Sequence, residues 1–279
     1  MSCIVPLATE PPVVVPFTSE RRALRQNLVT EDDEPLDNIL AEKLQRLLVA
    51  ILYSSWRPLP DTAAPDAPRR FMACANVGVF YTRRKPPIVP DVFISLDVTP
   101  NPAWLAAEHR SYYIWEFGKA PDVALEIISN ATGGELTSKM SLYARLGVCY
   151  YIVFDPFHEL WSDELLHVYE LNASRRYQLR ADNMMPGIDL GIRLWHDDLE
   201  GMTENWLRWC DLDGNLLLTG DERATQETAR ARHEAMRATQ ETARAVHAEA
   251  ALEAERTARQ QLEAELARLR AELNKRPYA

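Results

Sequence analysis

Residues 121–156, PDVALEIISNATGGELTSKMSLYARLGVCYYIVFDP, read as strand, helix, strand. Val123, Ala124, Leu125, Ile127 and Ile128 form an apolar run of the length and density of a buried strand. After the small, flexible NATGG, residues Leu136, Met140, Tyr143 and Leu146 recur at helical spacing, and Gly147 supplies a stop. Residues 148–156 give a second apolar strand closed by Asp155-Pro156. Two strands joined through a helix form a βαβ crossover, which commits the chain to an α/β architecture with a parallel pair inside its sheet.

Around this unit the pattern is weaker. Ile39, Leu40, Leu44, Leu47, Leu48, Ile51 and Leu52 mark a long amphipathic helix, with acids in TEDDEPLD (30–37) at its positive end. Short β-rich runs follow at 76–82, 90–98 and 111–117, and again at 165–171, 175–180 and 191–196. The stretch 204–220 reads as a hairpin turning at Asp213-Gly214. Residues 1–30, rich in proline and without periodicity, read as an extended leader. Trp195, Trp206 and Trp209 are expected to fill core rather than to stack on bases.

At Asp221 the composition changes. No glycine or proline occurs from 221 to 274, and RATQETARA appears at 223–231 and again two heptads later at 237–245. With Ala224 at heptad position a, the a seam runs Ala231, Ala238, Ala245, Leu252, Arg259, Leu266 and Leu273. The d seam holds Glu227, Glu234, Ala248, Leu262 and Leu269. Only the last two heptads have zipper character, so the tail is a long helix and a candidate coiled coil. The expected domains are therefore the leader (1–30), an α/β domain (31–220) and a helical tail (221–279). Self-association or a protein partner through 221–279 stays open.

Charge and cysteine usage exclude several functions. With 31 basic and 41 acidic residues the net charge is −10, which disfavours indiscriminate adhesion to DNA. The tail carries eleven of each sign, so the whole excess sits on residues 1–220. Arg69-Arg70, Arg83-Arg84-Lys85 and Arg175-Arg176 could build a local basic groove, though solvated loop charges are the plainer reading. Cys3, Cys74, Cys149 and Cys210 lack CxxC spacing and suit a reducing cytoplasm. No stretch approaches the ~18 apolar residues of a membrane span. The six histidines lack zinc-protease spacing, no serine sits in GxSxG, and ATGGELTSK lacks the GK[ST] of a phosphate-cradling loop.

Glu126 is the anomaly. A carboxylate inside VALEII costs on the order of several kcal/mol to bury unless something compensates. Asp91, at the mouth of PDVFISLDV, converges on Glu126 if the two strands are neighbours. Two carboxylates make an oxygen-rich site suited to magnesium, and Lys139 on the next helix can reach back to it.

An acid, then a glutamate in an apolar strand, then a lysine resembles the PD-(D/E)XK nuclease pattern. VPDVFISL, PDVALEIISN and SKMSLYARLGVCYYIVFDP are more closely similar to the restriction endonuclease family known as the Uma-two group, over roughly residues 31–200. In that family the position two after the glutamate is usually apolar, here Ile128, and the lysine is displaced onto the following helix, here Lys139. The resemblance implies a restriction-endonuclease-like core, a central mixed sheet flanked by helices. It implies metal ligation by Asp91, Glu126 and the Ile127 carbonyl, with Mg2+ or Mn2+ as cofactor. Lys139 would be the base or a phosphate contact, and Glu42 on the first helix an accessory acid. Asp37-Asn38 stand where family members often carry a histidine. The implied reaction is hydrolysis of DNA phosphodiester bonds; an RNA or structure-specific nuclease differs only in substrate. The alternative is a catalytically silent, nuclease-derived binding or scaffold protein acting through its tail.

Overall fold

A computed structural model describes residues 38–60, 69–82, 85–100, 102, 110–130 and 134–273. The expected leader, the acidic run 30–37, Arg83-Arg84 and Gly133 lie outside the described residues. The chain divides after Lys43, and the elements that build the core belong to Leu44–Ala279.

Helix α1 (Ile39–Ser55) starts where expected. Asn38 caps it, its side-chain oxygen accepting from the Ala41 amide at 2.9 Å. Leu44, Leu48, Ile51 and Leu52 on its inner stripe are fully buried. The central sheet has six strands: β1 (Phe71–Ala75), β3 (Val92–Leu96), β5 (Val123–Ile127), β6 (Tyr150–Phe154), β7 (Leu166–Leu171) and β8 (Tyr177–Leu179). They lie in the order β1-β3-β5-β6-β7-β8. Only β5 and β6 run parallel, and every other neighbouring pair is antiparallel. Helix α3 (Met140–Leu146) connects β5 to β6, which is the crossover read from residues 121–156. Gly147 closes it with φ 86°, a left-handed conformation that glycine adopts without strain.

The middle of the sheet is dry on both faces, since all residues of β3, β5 and β6 are buried. Such strands read as continuous apolar runs, which is why β5 and β6 were plain in the sequence. On one face Phe93, Ala124, Ile128, Tyr151 and Val153 pack with Tyr143 of α3 and with Tyr112. Tyr112 belongs to the small parallel pair β2 (Val79–Phe80) and β4 (Tyr112–Tyr113). The run 111–117, expected as strand throughout, gives only β4 before turning into the short helix α2 (Ile114–Phe117).

A second sheet holds β9 (Met184–Met185), β10 (Leu190–Leu199) and β11 (Met202–Cys210). Here one expectation is corrected. The hairpin is β10–β11, and it turns at Glu200-Gly201, both in the left-handed region that a two-residue hairpin turn demands. Asp213-Gly214 does make a tight turn, but the chain returns through one bridge, Cys210 to Leu216, rather than a strand. Trp206 and Trp209 are buried, and the Trp209 indole donates to the Leu48 carbonyl of α1 at 3.0 Å. Trp195 is half-buried, with the Arg208 guanidinium 4.8 Å above its ring.

The tail is one helix, α4 (Gly220–Leu273), of 54 residues. Thr219 and Glu222 form a capping box: the Glu222 amide donates to the Thr219 hydroxyl, and the Thr219 amide to the Glu222 carboxylate. Glu222 also receives both terminal nitrogens of buried Arg208, which ties the helix start to β11. From Arg223 to Ala271 every side chain is exposed.

Asp155, at the end of β6, is fully buried and accepts the amides of Glu159, Leu160 and Trp161 at 2.7–3.1 Å. Removing that carboxylate strands three donors in a half-buried loop. Asp155→Ala is expected to lower stability by about 3 kcal/mol, read as a drop in the urea midpoint at unchanged m-value.

Candidate active site

Three separate segments converge at the carboxyl end of β5. Glu126 is the fourth residue of that strand and only 2% exposed. Continuing the β3–β5 register one residue beyond Val92↔Leu125 places Asp91 opposite Glu126. There β3 has ended, so the Ile127 amide lacks a partner strand on that side, and the Asp91 carboxylate accepts it at 2.6 Å. Lys139 sits 3.0 Å from the Glu126 carboxylate and 3.0 Å from that of Glu135. The Tyr143 hydroxyl donates to the other Glu126 oxygen at 2.7 Å.

Lys139 reaches its place through an unusual local structure. Glu135–Lys139 is a π turn, and the α-helical hydrogen bonding begins only at Met140. The sequence spacing suggested an ordinary helix from the start. Single π turns are found mostly inside helices at functional positions. The Tyr151 hydroxyl, from β6, donates to the Glu135 carbonyl at 3.0 Å and pins the turn to the sheet.

Several contributors escaped the sequence reading. Gln45, buried on α1, donates to Asp91 at 3.0 Å and accepts from the Asn76 side chain at 3.1 Å. Its signal was a polar residue within the buried stripe of Leu44 and Leu48. Glu135 stands four residues before Lys139, a helical ion-pair spacing. Tyr143 was read only as core, and its ring does pack there while its hydroxyl reaches Glu126. Glu42, the expected accessory acid, lies in the first turn of α1, on the other side of the division after Lys43.

Burial pushes the Glu126 carboxyl up to about 8, against the pull of the Lys139 ammonium; the Asp91 charge adds to the rise. For Lys139, burial alone would lower the pKa, but the charges of Glu126 and Glu135 outweigh it and hold the ammonium above its ordinary value. Lys139 therefore favours its cationic form. Its side chain is 31% exposed, so it bridges the dry interior and the surface.

The donors available for a metal are the Asp91 and Glu126 carboxylates and the Ile127 carbonyl, all hard oxygens. Among the described residues no three His, Cys, Asp or Glu side chains form a metal-binding group. Two carboxylates and a carbonyl are a set that magnesium accepts, because it keeps several of its waters, and a carboxylate has lone pairs beyond those used in the bonds above. The basic groove is less well supplied: Arg69 is paired with Asp97, Arg70 donates to Thr99, and Arg175 to the Arg145 carbonyl.

The family model Uma2, described as "Putative restriction endonuclease", matches residues 34–190, more than half of the chain. The chain belongs to the Uma2 family. The match spans α1 through β9, and so includes every residue of the Asp91–Glu126–Lys139 cluster. The six-stranded mixed sheet, its flanking helices and the long terminal helix accord with a restriction-endonuclease-like fold. Comparison with curated proteins found no match. Among the described residues no helix is long and apolar enough to cross a membrane.

The raised Glu126 pKa fixes the sign of one prediction. A carboxyl shifted from 4.5 to about 8 on folding contributes stability fully below pH 4.5 and loses it as pH rises through about 8. In chelator, the wild type should lose roughly 4 kcal/mol relative to Glu126→Gln between pH 5 and pH 9. Paired urea titrations measure it, and a pH-independent difference would show that Glu126 is already charged at pH 5.

Proposed function

We propose that this Uma2 protein is a metal-dependent endonuclease that hydrolyses phosphodiester bonds in DNA. The observation that supports it most is the convergence of Asp91, Glu126 and Lys139, from three segments, around one buried carboxylate. A structural ion pair would need only Lys139 and Glu126. Asp91 also satisfies the Ile127 amide, but it brings a second acid beside Glu126 that the ion pair itself does not require.

In this reading Asp91, Glu126 and the Ile127 carbonyl hold Mg2+, which Mn2+ can replace. The ion would supply Lewis acidity and offset charge developing on the phosphate oxygens. The protein's own groups do the positioning. Tyr143 fixes the rotamer of Glu126, and Gln45 and the Ile127 amide fix that of Asp91. Glu135 keeps Lys139 close to the site when Glu126 turns its charge elsewhere. Lys139, whose ammonium form the neighbouring carboxylates favour, serves as a cation toward the scissile phosphate or as the base. Cys74, Cys149 and Cys210 carry free thiols, which supports a cytoplasmic location.

Purified protein should nick or linearise supercoiled plasmid with Mg2+ or Mn2+ and not in chelator. Asp91→Ala and Lys139→Ala should each reduce the rate by roughly 100-fold or more while circular dichroism stays native. Calorimetry should find Mg2+ binding that Asp91→Ala abolishes. Metal binding without cleavage of plasmid, oligonucleotide duplex or single strand would favour the silent scaffold. An Asp91→Ala variant as active as the wild type would sink the proposal.

A further inference from the structure

Four leucines of the late tail form an exposed row of large apolar side chains on the long helix. Leu252, Leu262, Leu266 and Leu269 are 50–62% exposed, and each falls on position a or d of one heptad frame. Met236 and Val246 are similarly exposed but lie off that seam. A helix whose side chains are all exposed from Arg223 to Ala271 gains little tertiary support, and a one-sided leucine row is what such a helix buries when it pairs.

We propose that α4 pairs through residues 252–270 with the same stretch of a second copy, as a parallel, in-register, two-stranded coiled coil. The flanking charges choose the occupant and its direction. In a parallel pair, position g of one helix meets position e of the other five residues on. Glu265 then faces Arg270 of the second copy, and the symmetry of the pair makes this contact twice. Upstream of the proposed contact, Arg244 and Glu249 occupy matching g and e positions of the same frame. The remaining g–e positions in the described helix put Arg against Thr or Ala, or Ala against a charge, so none sets like charges together. In the antiparallel alternative that matches Leu266 with Leu262, position e meets e and g meets g. That arrangement sets Glu263 against Glu263, Glu265 against Glu265 and Arg256 against Arg270, all repulsive.

Within the seam, Glu255 at d and Arg259 at a each face their own copy, a local cost, but they occupy successive layers, so each glutamate also lies beside the arginine of the other chain. A charged a position weakens pairing but restricts it to two strands in one register. Before Leu252 the d positions Glu227, Glu234 and Glu241 would face their own copies, and the a positions are alanine. Like charges there hold the early helices apart, so the contact is confined to the distal third of α4. In the single chain Arg230 and Glu234 are already paired along the helix, as are Arg259 and Glu263. The Arg259 pair must open for the proposed layer to form.

The test uses the full chain and does not depend on nuclease activity. Sedimentation equilibrium should show a monomer–dimer equilibrium that Leu262→Glu/Leu269→Glu abolishes. Leu266→Cys, under mild oxidation, should give a crosslinked dimer that the wild type, with its native cysteines, does not. Glu265→Arg should weaken dimerisation by about tenfold and Glu265→Arg/Arg270→Glu should restore it, since e–g charges set partner choice. A wild type that stays monomeric at high concentration overturns the proposal. So does a dimer in which Leu266→Cys fails to crosslink, or one that the double charge swap leaves as weak as the single.

Discussion

A single buried carboxyl group organises the site. Glu126 lies inside a strand whose other residues are apolar, and a carboxylate there is tolerated only with partners. Lys139 and Tyr143 supply them from beyond β5, so the turn and helix that follow the strand must dock in one orientation. The same requirement draws in Glu135, and through its backbone carbonyl Tyr151 of the next strand. The crossover is thus held by apolar packing along its length and by a polar knot at one end.

That knot is balanced rather than saturated. Two acids, Glu126 and Glu135, share one ammonium group, and Asp91 beside Glu126 raises its pKa further. Structural ion pairs tend toward equal numbers of opposite charges, because excess charge in a dry site is costly. An excess of acid at the end of a sheet is the electrostatic condition that the proposed divalent ion would relieve.

The sequence was most readable where physics is local. Residues 121–156 declared themselves because β5 and β6 are buried on both faces and the helix between them ends in glycine. Glu126 was visible for the same reason, as a charge against an apolar background. Phe71–Ala75 was missed because FMACA has neither alternation nor branched residues; it becomes β1 through pairing with β3, a tertiary fact. Asp213-Gly214 has the better turn dipeptide, yet the hairpin closed at Glu200-Gly201, because nine residues of β10 register with β11 and outweigh the strain of a glutamate with positive φ. Gln45 and Tyr143 were hidden by their own dual character. Each sits on an apolar stripe, and only the coordinates show where its polar end goes.

The π turn has a further consequence. It arises when one extra residue is accommodated in a helix without shifting the turns on either side. Deleting any residue between Glu135 and Lys139 would restore regular winding, but each residue advances the helix by about 100°, so the ammonium would swing off the carboxylate or Tyr143 off the core. The interval from Glu135 to Lys139 is therefore fixed in length as well as in kind. Chains of this lineage can vary their outer loops freely, while insertions and deletions in this interval should be purged.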